Sequence, residues 1–143
     1  MMDRAAIFNY MIGNTDWSVP IQHNVLILSQ GRSERPDLGI IVPFDFDYSG
    51  LVNASYAVPY EGLRITSVLD RLYLGICRNE EGYIKALKEY SDHKDEFYSI
   101  INEFPYLNVK AKKEMIMYLE GFFNDIDKRN TLAKKMLYDC ISF

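Results

Sequence analysis

Apolar residues in the first half of the chain occur in short runs that polar loops separate. Residues 4–12 repeat apolar side chains at helical spacing, and Gly13-Asn14 follows as an expected helix stop. Two short apolar runs come next, at 25–28 and 39–42, and both are rich in β-branched residues. Because turn-forming and charged residues fill positions 31–37 between them, the pattern predicts an antiparallel β-hairpin.

The rest of the chain changes from an irregular pattern to a helical one. Residues 48–64 show no sustained period, which predicts an ordered loop, and helices are expected from Thr66 onward. Ser67-x-x-Asp70 has the pattern of a capping box, and Asn79 before two glutamates is typical of a helix amino terminus. Three apolar stripes then follow at helical spacing, formed by Phe97, Ile100, Ile101 and Phe104, by Met115, Leu119, Phe122 and Ile126, and by Ala133, Met136, Leu137 and Cys140.

This order of elements predicts an α+β fold that is mostly helical. A helix, a polar loop and a β-hairpin come first, and a bundle of helices follows. A length of 143 residues suits a single domain. Within it, residues 1–64 are expected to contain the helix, hairpin and acidic loops, and residues 65–143 a helical subdomain.

The distribution of charge is more informative about function than the overall composition is. A hydrophobic content of 48% and a charged content of 25% are ordinary for a globular protein. The formal net charge of −4 argues against nucleic acid as a partner. Lysine is absent before Lys85, and acidic residues outnumber arginines in residues 1–64. An acidic, lysine-free half favours binding of a divalent cation.

The two cysteines indicate whether the protein belongs to a reducing or an oxidising compartment. Cys77 and Cys140 fit no zinc or redox spacing, so we expect two buried thiols in a reducing compartment, with a disulfide as the alternative. No segment is apolar and long enough for secretion or membrane insertion, so a cytoplasmic location without a membrane partner is expected by default.

Candidate chemistry is concentrated at the ends of the predicted elements. Asp16 lies in the loop after the first helix, Asn24 precedes the first strand, and Asp45 follows the second strand. Because a hairpin reverses the chain, these side chains are expected to lie close together at one end of the hairpin. Asp47 should lie on the same side as Asp45, since alternate residues of an extended chain share a face. Such oxygen ligands suit magnesium and phosphoryl chemistry.

The same residues resemble a known family. Gly13-Asn14-Thr15-Asp16-Trp17, His23-Asn24 and Asp45-Phe46-Asp47 are similar to the motifs of the carboxy-terminal lobe of atypical protein-kinase-like enzymes, of the HipA and CotH types. The resemblance covers about residues 4–50. With Ser49 to Asn53 following, the chain also resembles a group of uncharacterised Bacteroidetes proteins.

The resemblance implies a phosphotransferase that uses magnesium and ATP. Asp16 would be the catalytic aspartate that positions the acceptor hydroxyl, and Asn24 and Asp45 would bind magnesium, with Asp47 as a further or substitute ligand. The acceptor would be a protein or a small molecule. The amino-terminal lobe of such enzymes would precede residue 1, so the chain is expected to be incomplete alone and to need that lobe as a partner.

Several alternatives stay open from the sequence. The interval from Asp16 to Asn24 is three residues longer than in HipA-type enzymes, so the loop must bulge, with Pro20 as the expected place. Asn14 and Asp16 also suit ordinary turn chemistry. His23 suits a hydrogen-bonded structural role more than that of a ligand or proton carrier, and Trp17 suits packing against the hairpin more than stacking on a substrate. The competing functional hypothesis is a non-catalytic remnant, or an interaction domain.

Overall fold

The computed structural model describes residues 2–28, 39–128 and 131–142. The predicted turn at 31–37 therefore lies outside the described residues. The order of elements confirms an α+β fold that is mostly helical, with a helix, a hairpin and then a set of helices. These elements are α1 (Met2–Ile12), β1 (Val25–Leu28), β2 (Ile40–Pro43), α2 (Glu80–Asp92), α3 (Lys94–Glu103), α4 (Val109–Ile126) and α5 (Thr131–Asp139).

The chain forms two compact units, Met1–Gly75 and Ile76–Phe143. The first contains α1, the hairpin and the long loops, and the second contains α2 to α5. The grouping of the whole chain into one domain stays a prediction.

Helix α1 is the centre of the first unit. Apolar side chains are buried on several of its faces, as expected for a helix enclosed by its own domain rather than lying on a surface. The helix ends where Gly13 adopts a φ of 67°, a left-handed conformation that glycine accepts without steric cost. The predicted helix and its stop are confirmed. The ring of Tyr10 packs edge-on against Tyr73, and Phe8 against Phe46, so α1 anchors two later loops.

Strands β1 and β2 pair in antiparallel register, with Leu26 opposite Val42 and Leu28 opposite Ile40. The two predicted strands are confirmed. On one face Val25 is buried, whereas the other face exposes all four of its apolar side chains. We call this second surface the exposed hairpin face. It consists of Leu26, Leu28, Ile40 and Val42.

The predicted helix start at Thr66 is wrong. Asp70 accepts hydrogen bonds from the backbone amides of Thr66 and Ser67, and Ser67 Oγ accepts one from the amide of Leu69. These bonds close a turn, but no helix follows within residues 66–75. The chain instead turns inward, where Tyr73 is fully buried and Arg71 donates from Nε to the carbonyl of Met11. Tertiary contacts with α1 therefore override the local helical pattern.

Caps define the helices of the second unit. Asn79 caps α2 by accepting from the amide of Gly82, as the sequence predicted, and Asn108 caps α4 in the same way through Ala111. Helix α3 ends before Pro105, as expected, but its predicted apolar stripe is only partly buried. Ile101 is enclosed, whereas Ile100 is exposed.

Aromatic rings form much of the core of the second unit. Phe122 and Phe123 on α4 are buried side by side, with ring centroids 5.2 Å apart. Tyr90 of α2 contacts Phe122 edge-on and stacks on Phe97 of α3. Their assignment to packing rather than to a cofactor site is consistent with this arrangement.

A disulfide joins Cys77 to Cys140, so the expectation of two free thiols is wrong. The two residues lie 63 positions apart in sequence. Tertiary folding brings them together, because Ile76 and Ile141 form a parallel β-bridge and Cys77 donates its amide hydrogen to the carbonyl of Ile141. The start and end of the second unit are thereby linked.

Within the described ranges, every helix is too short or too polar to cross a membrane.

Reduction of Cys77–Cys140 is expected to destabilise the second unit. A bridge that closes a loop of this length restricts the unfolded chain, and its loss should lower the free energy of unfolding by roughly 3–4 kcal/mol. Urea denaturation with and without reductant measures the change. The double variant C77S/C140S should be equally destabilised and should not respond to reductant. Two titratable thiols in the native, unreduced protein would contradict the disulfide.

Candidate functional site

The candidate site begins with two buried asparagines that fix the loop after α1. Asn9 donates to the carbonyl of Ala5 at 2.9 Å, and Asn14 donates to Asn9 Oδ1 at 2.8 Å. Asn14 Oδ1 then accepts the amide hydrogen of Asp16 at 3.0 Å. Asn9 is 0% exposed and Asn14 1% exposed, so the two bonds of Asn9 form away from water, whereas the bond to the Asp16 amide is partly buried. The backbone of Asp16 is therefore held by a buried polar connection to α1.

The residues between Asp16 and Asn24 form a compact turn that leaves the loop and returns to it. Ser18 and His23 exchange both backbone hydrogen bonds at 2.9 Å, and the turn between them is closed by the amide of Gln22 bonding to the carbonyl of Val19. Pro20 lies inside this turn, so the predicted bulge is confirmed. The additional residues project from the loop while its two ends stay together.

Two later residues of the loop, His23 and Asn24, bond to the side chain of Asp16. His23 Nε2 lies 2.9 Å from Asp16 Oδ1, and Asn24 Nδ2 donates both to Asp16 Oδ2 at 3.0 Å and to its backbone carbonyl at 2.8 Å. Both carboxylate oxygens are thus oriented by neighbouring side chains. Trp17 is buried, which confirms the packing alternative for that residue.

The hairpin brings Asn24 close to the segment that contains Asp45. The carbonyl of Asn24 accepts the amide hydrogen of Phe44 at 3.0 Å, which extends the pairing of β1 and β2 by one step. Asn24 and Asp45 both have left-handed backbones, with φ of 51° and 59°. Asn and Asp tolerate this conformation better than most residues, and such strained positions cluster at functional sites.

The side chains of Asp45 and Asp47 lie close together, although not through the predicted alternation, because the left-handed backbone of Asp45 is not extended. Their side chains are hydrogen-bonded, and this bond is the largest cause that raises the pKa of Asp45 above its usual value of 3.8. The negative charge of Asp47, desolvation and the charge of Asp16 raise this pKa further, whereas His23 lowers it. Asp45 is therefore within electrostatic reach of Asp16.

A tyrosine pair supports Asp47 from the other side. The hydroxyl of Tyr56 donates to Asp47 Oδ2 at 3.0 Å, and the ring of Tyr56 contacts that of Tyr48 edge-on at 5.8 Å. The hydrogen bond to Asp47 is the first cause that raises the pKa of Tyr56. Tyr56 thus stays a donor and fixes the orientation of the Asp47 carboxylate.

The structure brings the predicted site residues together as two pairs. Asn24 contacts Asp16, and Asp45 contacts Asp47. No group of three or more His, Cys, Asp or Glu side chains arranged to hold a metal ion occurs in the part of the chain that is described. A divalent ion at this site would therefore rely on the Asp45–Asp47 pair with the amide oxygen of Asn24, and the assignment of these three as metal ligands stays a prediction.

An open cleft adjoins Asp16 on the side of the long loop. Its volume is about 560 Å³. Its lining includes Asp16 and His23, together with residues 58–61 and Tyr48. Every lining residue belongs to the first unit.

Two features of the site escaped the sequence analysis. Asn9 lies within an otherwise apolar stretch of α1, and an amide amid buried positions is a signal that a polar partner is required. The cleft residues 58–61 carried no comparable signal, because the loop has no period from which side-chain directions can be predicted.

Comparisons with known proteins give no assignment: no protein-family model matches the chain, and no curated protein or solved structure matches it.

Asn14→Ala should loosen the Asp16 loop. The change leaves the backbone amide of Asp16 and the side-chain Oδ1 of Asn9 without their partner, which should lower the free energy of unfolding by about 1–3 kcal/mol. Urea denaturation gives the value. Asn102→Ala, on the exposed surface of α3, is the matched control and should change stability little. Equal stability of the Asn14 variant and the native protein would contradict the proposed role of the pair.

Asp45 should titrate above the usual aspartate range when no divalent cation is present. Because its pKa is raised in the folded state, its contribution to stability is present below the unfolded value of 3.8 and is lost as pH rises through the folded pKa. Carboxyl-detected NMR titration measures the pKa directly. Asp47→Asn removes the neighbouring charge and should lower the pKa of Asp45, whereas an unchanged value would contradict the pairing.

Proposed function

We propose that this chain is the carboxy-terminal, lobe-like portion of a kinase-like phosphotransferase, which transfers the γ-phosphoryl group of ATP to a hydroxyl. The observation that carries the proposal is the fixed carboxylate of Asp16, oriented by His23 and Asn24 within electrostatic reach of Asp45. Phosphoryl transfer requires little beyond positioning and charge stabilisation, and this arrangement supplies an oriented carboxylate with further oxygen donors close by.

Asp16 is the proposed catalytic residue. The oxygen of the acceptor hydroxyl forms a bond to the γ-phosphorus, the bond from that phosphorus to ADP breaks, and the hydroxyl proton passes to the Asp16 carboxylate. His23 and Asn24 are positioning residues, because their hydrogen bonds select the orientation of that carboxylate. A fixed carboxylate can accept the proton without first reorganising.

Asn24, Asp45 and Asp47 are the proposed magnesium ligands. When bound, magnesium would neutralise charge on the nucleotide phosphates. The chemistry of the donor set fits a hard cation, since carboxylate and amide oxygens are its preferred protein ligands. The raised pKa of Asp45 also fits, because its causes, first the hydrogen bond to Asp47 and then the charge of Asp47, reflect two carboxylates close together, whose repulsion a divalent cation would relieve.

The exposed hairpin face supports a partner for this unit. Leu26 and Val42 lie opposite each other on it, and both are exposed. The two strands also lead directly from Asn24 and into Asp45. An apolar surface beside the proposed magnesium ligands suits an amino-terminal lobe, supplied by the same or another polypeptide.

The same surface favours the second candidate, a non-catalytic interaction domain. In that case the exposed hairpin face would bind a protein, and the bonds around Asp16 would only stabilise the loop. Both candidates involve neither nucleic acid nor membrane as a partner. The default cytoplasmic location stays a prediction, and the Cys77–Cys140 disulfide weighs against it because such bridges are rare in reducing compartments.

Manganese, a paramagnetic substitute for magnesium, distinguishes the two candidates. In the presence of ATP, Mn²⁺ should broaden the NMR signals of Asn24, Asp45 and Asp47 in a saturable manner, and Asp45→Asn should weaken nucleotide-dependent binding at least tenfold without unfolding the protein. Asp127→Asn, at the exposed end of α4, is the matched control and should behave as the native protein.

One result of the same experiment would contradict the phosphotransferase proposal. If Mn²⁺ and ATP leave these three signals unchanged at millimolar concentration, also after an amino-terminal lobe is supplied, the phosphotransferase proposal fails and the interaction domain remains.

A further inference from the structure

The cleft beside Asp16 has a composition that is unusual for a phosphate site. Its lining combines the tyrosines 48 and 60 with the carboxylates of Asp16 and Glu61. Lysine is absent from residues 1–84 of the sequence, and no arginine is among the described residues that line the cleft. A phosphate group would therefore meet two carboxylates, and the histidine of the lining, His23, is already bonded to Asp16. The cleft suits a ligand other than the nucleotide.

The volume of the cleft and the solvent exposure of its side chains limit the ligands that it can accept. A volume of about 560 Å³ lies within the range of roughly 300–1,000 Å³ that is usual for small-ligand sites. Tyr60 is 77% exposed, so the face of its ring is accessible to a ligand. Tyr48, in contrast, is held by its edge-on contact with Tyr56, which Asp47 anchors. One aromatic ring is thus held by its neighbours, and the other is largely exposed to solvent.

Aromatic faces beside carboxylates favour positive charge. A tyrosine ring attracts a cation through its quadrupole, and a nearby carboxylate adds a direct electrostatic attraction. Tyr60 and Glu61 are adjacent in sequence and both line the cleft, so they offer the two kinds of attraction at one point. Asp16 adds a second carboxylate to the lining, next to His23.

We propose that this cleft binds an organic cation, an alkylammonium or guanidinium group, carried by the molecule whose hydroxyl reaches Asp16. The assignment of that hydroxyl as the phosphoryl acceptor rests on the proposed function, whereas binding of the cation does not require nucleotide. The cationic group has two chemical sources, a small amino alcohol and a basic side chain next to a serine in a peptide.

The test is an NMR titration of the 143-residue protein without nucleotide. The probes are choline, as a small hydroxylated cation, and an acetylated, amidated Arg-Arg-Ser peptide. The neutral isostere of choline, 3,3-dimethyl-1-butanol, is the control ligand. At least one cationic probe should shift the ring signals of Tyr48 and Tyr60 in a saturable manner, and the neutral alcohol should not.

Variants localise the binding. Glu61→Gln and Tyr60→Leu should each raise the Kd of the bound probe by roughly threefold or more. Glu103→Gln and Tyr106→Leu, in the second unit, are matched controls, since Tyr106 is 88% exposed, and they should leave the Kd unchanged. Binding of choline identifies a small amino alcohol as a sufficient source, and binding of the peptide alone identifies a basic side chain.

Two results would overturn the inference. Equal shifts with the neutral alcohol would make the cleft an apolar site, and no shift with either cation would mean that it binds no such group. The titration is independent of the Mn²⁺ and ATP experiment. Cation binding without nucleotide binding would therefore reject only the phosphotransferase proposal, and nucleotide binding without cation binding would reject only this inference.

Discussion

The hydrogen bonds of Asn9 and Asn14 determine where the candidate site lies. They connect the buried interior of α1 to the backbone of Asp16 through two buried hydrogen bonds and a partly buried one. Because unpaired buried amides are costly, the loop after α1 has few alternative conformations. The positions of His23 and Asn24 depend on this loop, since both bond to Asp16.

The hairpin supplies the second half of the arrangement. It starts beside Asn24 and returns the chain to Asp45, so two residues far apart in sequence lie close to Asp16. The local charge that results is negative, and it continues into the neighbouring cleft through Glu61. One electrostatic environment therefore accounts for both proposals, a magnesium ion at the carboxylate pair and an organic cation in the cleft.

Individual elements of the fold show which features the sequence could predict and which it could not. The stop of α1 at Gly13 and the cap of α2 at Asn79 were predicted because glycine conformation and side-chain capping act within a few residues. The turn at Ser67 to Asp70 looked like a helix start for the same local reason, yet no helix followed, since the burial of Tyr73 decides the path of that segment. The disulfide was missed because Cys77 and Cys140 meet only through tertiary folding.

Sequence alone determined the order of the elements, the mostly helical α+β class and the identity of the polar residues around Asp16. The sequence also placed Asp45 and Asp47 near each other, although Asp45 is left-handed and not extended as the alternation assumed. Only the tertiary structure decided that Asn24 bonds to Asp16 and that residues 58–61 line a cleft with Tyr48. The reason is physical: periodicity and capping depend on neighbours along the chain, whereas a cleft depends on contacts between segments that no local pattern records.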